Sequence, residues 1–142
     1  MLPPKNNIFD FINSRGHNAM QRWANGMPMQ KKDRGRLDNR IDLLERTEDG
    51  FCPRLLHPTT KRCKHIMHLV VRGQVTFSLM LCRGPATMNN EFTFLFGATE
   101  RDRKYNPQDA PERADRNRDD LISNPNRRCK HERFSKDPET II

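Results

Sequence analysis

The chain has 142 residues, 34% hydrophobic and 31% charged, with 26 Lys and Arg against 18 Asp and Glu for a net charge of +8. That length supports one core and not two. It holds no apolar run of the ~18 residues that a membrane span requires, and MLPPKNNIFDF carries charge and proline where a secretory leader needs an apolar segment, so a cytoplasmic protein without membrane association is expected.

IFDFI, residues 8–12, alternates apolar and polar side chains and predicts a short strand ended by NSRGHN. Asn18 or His17 then opens a short helix through AMQRWAN, with Met20 and Trp23 on one face. Gly26 and Pro28 break it, and from Met29 to about Arg46 the recurrence of Leu37, Ile41 and Leu44 predicts a second, amphipathic helix. Its outer face, with Lys31, Lys32, Arg34, Asp38, Arg40 and Asp42, reads as solvated. TEDGFCPRLLHPTTKRC has a glycine and two prolines and reads as a connection with room for one short edge strand.

Three strand-like runs follow, at residues 65–71, 75–82 and 91–96. RGQ suits a hairpin turn between the first two, and RGPATMNN a longer turn before the third. In the middle run Val75, Phe77, Leu79 and Leu81 alternate with Thr76, Ser78, Met80 and Cys82, so one face is core. Pro111, with Asp109 as a possible cap, starts a last helix whose sparse apolar face is Ala114, Leu121 and Ile122. SNPNRRCKHERFSKDPETII is a basic, proline-punctuated tail. The expected architecture is α+β: a small antiparallel sheet of about four strands, two N-terminal helices packed on it and a charged C-terminal helix. Residues 1–123 form the domain and 124–142 the tail.

Charge is unevenly spread. Between Cys52 and Asn90 there is no carboxylate, while Arg54, Lys61, Arg62, Lys64, Arg72 and Arg83 are present with His57, His65 and His68. A polyanion is the natural partner of such a surface. Buried strands would also exclude carboxylates, but they would exclude arginines as well. Cys52, Cys63, Cys82 and Cys129 lack Cys-x-x-Cys spacing and read as reduced thiols. Cys-Lys-His occurs twice, ending at His65 and His131, and would make a zinc site only if the fold joined the two copies; no metal is expected.

In combination, RGHNAMQRWANGMP before a charged helix, LVVRG, LMLCRGP, and FTFLFGATERDRKYNP leading into APERADRNR resemble the RelE/ParE superfamily of type II toxins, nearest its HigB-like, phage-derived branch, over residues 8–122. The resemblance implies a RelE-like fold and the toxin component of a type II toxin-antitoxin system. Such a toxin is a metal-independent, ribosome-dependent mRNA endoribonuclease with mRNA, the ribosome and a cognate antitoxin as partners and no cofactor.

RNA cleavage without a metal needs a base for the ribose 2′-OH proton, cations for the phosphorane-like transition state and an acid for the leaving 5′-oxygen. The catalytic candidates are Arg72, Arg103, Tyr105 and His68, with Lys61, Arg62, Lys64, Arg83, Arg101 and Lys104 as RNA-binding candidates. Arg72 and Arg83 flank the central strand at opposite ends, and an antiparallel meander puts Arg101, Arg103 and Lys104 at the end that holds Arg72. Tyr105, the single tyrosine, matches a family position that stacks on a base or aids proton transfer, or else it packs beside Pro107. His68 is either a base near neutral pH or a half-buried strand histidine. Glu100 is read as an ion-pair partner of Arg101 or Arg103 before it is read as a base. Two features depart from the family: no Arg follows the hairpin turn, and FGA stands where HigB-like chains have HGF. They leave room for a non-catalytic nucleic-acid- or protein-binding module on the same scaffold, either a ParE-like gyrase inhibitor or a domesticated inactive toxin.

Overall fold

A computed structural model describes residues 4–135, so the part of the expected tail at residues 136–142 lies outside the described residues. The α+β class holds, but the sheet is neither four-stranded nor purely antiparallel. It has seven strands: β1 (Asn7–Phe11), β2 (Leu56–Pro58), β3 (Met67–Val71), β4 (Thr76–Arg83), β5 (Glu91–Arg101), β6 (Lys104–Asn106) and β7 (Arg128–Lys130). Their order is β2-β3-β4-β5-β1-β7, with β6 also paired to β5.

The meander β3-β4-β5 is antiparallel as expected, whereas β1 runs parallel to β5, from Asn7↔Glu91 to Asp10↔Phe94. The chain leaves β1 through helices instead of a hairpin, and a crossover of that length permits parallel pairing. The remaining growth of the sheet comes from three-residue strands, β2, β6 and β7, too short to show an alternation of their own.

Helix α1 (Ala19–Asn25) is capped by Asn18, whose Oδ1 accepts from the backbone N–H groups of Met20 and Gln21 at 3.0 Å each. In α2 (Lys31–Arg46) the Asp33 carboxylate accepts from the Gln30 N–H at 3.0 Å, and Leu37, Ile41 and Leu44 are buried. Both helices pack on one face of the sheet, against Leu69 and Val71, Phe77, Leu79 and Leu81, and Phe92 and Phe94. Trp23 lies so close to β5 that a Cβ on Gly97 would collide with its ring, and only glycine admits the indole there. The opposite face meets α3 (Ala110–Ser123), which buries Ala110, Ala114 and Leu121 against Met80, Cys82, Leu95 and Ala98. Asp109 stands before α3 but makes no cap bond; it pairs with Arg113 at 2.9 Å instead.

The outer face of α2 is not simply solvated. A strap formed by residues 124–135 crosses it after β7 pairs with β1, and Phe134 enters the core at 2% exposure. Asp38 accepts from the N–H groups of Phe134 at 2.8 Å and Ser135 at 3.0 Å, and Arg34 donates to the Phe134 carbonyl at 3.0 Å. The strap's arginines meet acids of the fold, Arg127 to Asp120, Arg128 to Glu91 and Arg133 to Asp42, and the His131 ring hydrogen-bonds Asp10 at 2.8 Å.

Candidate functional site

The α3-side face of the sheet carries a buried polar pair beyond the apolar contacts of α3. There His68 projects from β3 with Nδ1 in a 2.6 Å hydrogen bond with Ser78 Oγ of β4. Its ring stands edge-on to Tyr105, 5.6 Å between centroids, and to His57, 6.1 Å. Two of the four catalytic candidates, His68 and Tyr105, are therefore neighbours, although β4 and β5 lie between their strands.

Their environments push them in opposite directions. Burial, reinforced by His57, lowers the His68 imidazole to about 4, so it is a neutral acceptor at physiological pH. Burial also raises the Tyr105 phenol to about 12, with a smaller contribution from Glu100, so it keeps its proton. Glu100 sits opposite Tyr105 in the β5–β6 register and makes no ion pair among the described residues.

The stretch that supplies Tyr105 is a two-residue hairpin. Asp102 and Arg103 both have left-handed φ, 52° and 63°, and Arg101 pairs with Lys104 across the turn. Two such residues in a row give the turn a twist that suits the flanking strands, at some cost for side chains other than glycine. Arg101, Arg103 and Lys104 are consequently exposed at the sheet end that carries Arg72. Thr76↔Glu100 pairing puts both turns at that end.

Arg72 also borders a second feature, an open groove of about 610 Å³ that it shares with Arg36, Asn39, Arg40, Leu43 and His57. Sequence reasoning misses the helix arginines, because at helical spacing among other charges they look like solvent-facing residues. It also misses Ser78, whose only signal is its place on the non-core side of the strand alternation.

The other RNA-binding candidates lie elsewhere. Lys61, Arg62 and Lys64 belong to a 3-10 turn before β3, and Arg83 ends β4. β4 has eight residues, ~26 Å at the usual rise, so Arg72 and Arg83 cannot share a phosphate. Arg83 is also engaged: Asp49 holds it at 2.5 Å and its guanidinium lies over the Phe92 ring. Arg62 meets Glu112 at 3.4 Å. Carboxylates from outside the carboxylate-free stretch thus fold back onto part of it.

The two Cys-Lys-His copies do not converge. Cys63 precedes β3, while Cys129 is in β7 at the opposite edge of the sheet, and no group of three or more His, Cys, Asp or Glu suited to a metal exists among the described residues. No helix among them is long and apolar enough to cross a membrane. No protein family, no curated protein and no solved structure matches this chain.

Proposed function

We propose that the protein is the toxin of a type II toxin-antitoxin pair and cleaves mRNA at the ribosome without a metal, held in check by a cognate antitoxin. The observation that carries this reading is the His68–Tyr105 contact, in which a neutral imidazole meets a protonated phenol that directly follows the exposed Arg101, Arg103 and Lys104 of the β5–β6 turn. Two titratable groups whose environments drive them apart are suited to opposite proton roles. His68 takes the 2′-OH proton through Nε2, since Nδ1 is engaged by Ser78; the 2′-oxygen attacks phosphorus, and Tyr105 protonates the departing 5′-oxygen. A 2′,3′-cyclic phosphate and a 5′-hydroxyl result. Arg72 and Arg103 are assigned to the phosphate oxygens, where the guanidinium fork stays charged at any working pH.

The test is induced expression followed by mapping of mRNA ends. Growth arrest with 2′,3′-cyclic phosphate ends is expected, unaffected by chelators. His68→Ala, Arg72→Ala and Tyr105→Phe should each lower cleavage by about 10²-fold or more. Arrest with intact mRNA and DNA damage would instead support gyrase inhibition. A second reading, a domesticated binding module without catalysis, is favoured by the depth of His68: an imidazole held near 4 is a weak base. Absence of toxicity with retained RNA binding would establish it.

A further inference from the structure

The groove on the open edge of β3 sets two arginines that the cleavage chemistry leaves idle, Arg36 and Arg40, beside Arg72. Pairing between β2 and β3 stops at Leu56↔Leu69, so Val70 and Val71 have no strand on their outer side. The opening there, about 610 Å³, lies between that edge and α2. Arg36 reaches from α2 to the β3–β4 turn, where its guanidinium fills the space that a Cβ on Gly73, the residue after Arg72, would occupy. Its one carboxylate neighbour among the described residues is Asp33 at 3.8 Å. The Nε of Arg40 is shut off from solvent and has no acceptor among the described residues. Arg72 likewise has no carboxylate partner among them. Three guanidinium groups around one opening, with a single distant acid between them among the described residues, form a strong anion trap.

We propose that this groove is a phosphate site, in which Arg36 and Arg40 grip a backbone phosphate of single-stranded RNA next to the one that Arg72 holds. It rests on the endoribonuclease reading only for the identity of the polymer. His57 forms one wall and stands edge-on to His68, so a strand seated here continues toward the His68–Tyr105 pair. Leu43 and Val70 give a base or ribose an apolar surface beside the cations. An acidic peptide added as a strand is the less suited occupant. Main-chain pairing needs a longer free edge than Val70 and Val71, clear of the Arg36 side chain, whereas a phosphate needs only the guanidinium cluster.

Fluorescence anisotropy of a labelled oligouridylate, measured over a salt series, tests the proposal. Arg36→Gln/Arg40→Gln should weaken binding about tenfold and flatten the plot of log K against log salt by about 0.7 for each phosphate that is no longer neutralised. Should that variant melt early, Arg40→Lys decides, because it keeps the charge and removes the fork; binding about threefold weaker at unchanged stability is expected. Unchanged affinity and slope in a folded variant overturn the proposal. So does an oligoglutamate peptide that binds the wild-type protein more tightly than oligouridylate. RNA that remains intact while its binding depends on Arg36 and Arg40 overturns the cleavage reading alone. Cleavage by the wild-type protein with binding indifferent to both arginines overturns the groove alone.

Discussion

His68 shows what burial does to one titratable residue. Its imidazole is 7% exposed and held to about 4, whereas in the unfolded chain it protonates near 6.5. As pH falls the unfolded state takes up this proton first, so the stability that depends on neutral His68 is complete above pH 6.5 and declines between 6.5 and 4. The full loss amounts to about 3 kcal/mol. Urea midpoints at pH 7 and pH 4.5 should separate less for His68→Gln than for the wild-type protein, and equal separations would remove His68 from the account. Both His68 and Tyr105 are visible in the sequence as candidates, one as a strand histidine and the other as the single tyrosine. Their contact is not visible there, because it depends on a β6 hairpin whose turn uses Asp102 and Arg103 in a conformation usually taken by asparagine or glycine. Arg83 misleads in the opposite sense: its charge is plain in the sequence, its Asp49 partner is not.

At the level of elements, the sequence pattern ends β5 at Phe96, whereas the strand runs to Arg101. Gly97 interrupts the apolar alternation and resembles a turn residue, yet it is there to admit Trp23 of α1. A glycine chosen for close approach and one chosen for a turn are identical in a sequence. Gly97→Ala should cost about 2–4 kcal/mol, read by urea denaturation, with a change in Trp23 emission. Combined with Trp23→Ala, its cost should fall well below the sum of the single losses, since the clash needs both partners. Additive losses would place the strain elsewhere. By contrast α1, α2 and the meander are legible because local rules govern them: a capping asparagine, leucines and isoleucine at helical spacing, and strict alternation in β4.

For the whole molecule, the largest gap between sequence and structure is the strap. Asp10, Asp33 and Asp38 look like surface acids and are at 0%, 6% and 2% exposure. Asp10 accepts from Asn18, from the His131 ring at 2.8 Å and from the Glu132 N–H, while Asp38 receives the backbone of Phe134, 96 positions away. No local pattern encodes such partners. The positive charges of residues 127–133 consequently serve the fold as well as any ligand. Phe134→Ala should cost about 3–5 kcal/mol, and its melting curve should move with loss of near-ultraviolet ellipticity from Trp23, whose ring stands 6.3 Å from Phe134. A melting temperature within experimental error of the wild-type value would mean that the strap is ornamental.

The position of β1 between β5 and β7 carries a consequence for the time course of folding. Both of its neighbours in the sheet are made after it, and the Asp10–His131 bond closes a loop of 121 residues. During synthesis β1 therefore waits with both edges unpaired while the meander, built from near neighbours in the chain, assembles first. Insertion of β1 beside β5 and its sealing by β7 are thus late, non-local steps, so a strand made before both its sheet neighbours is locked in place only after they have formed.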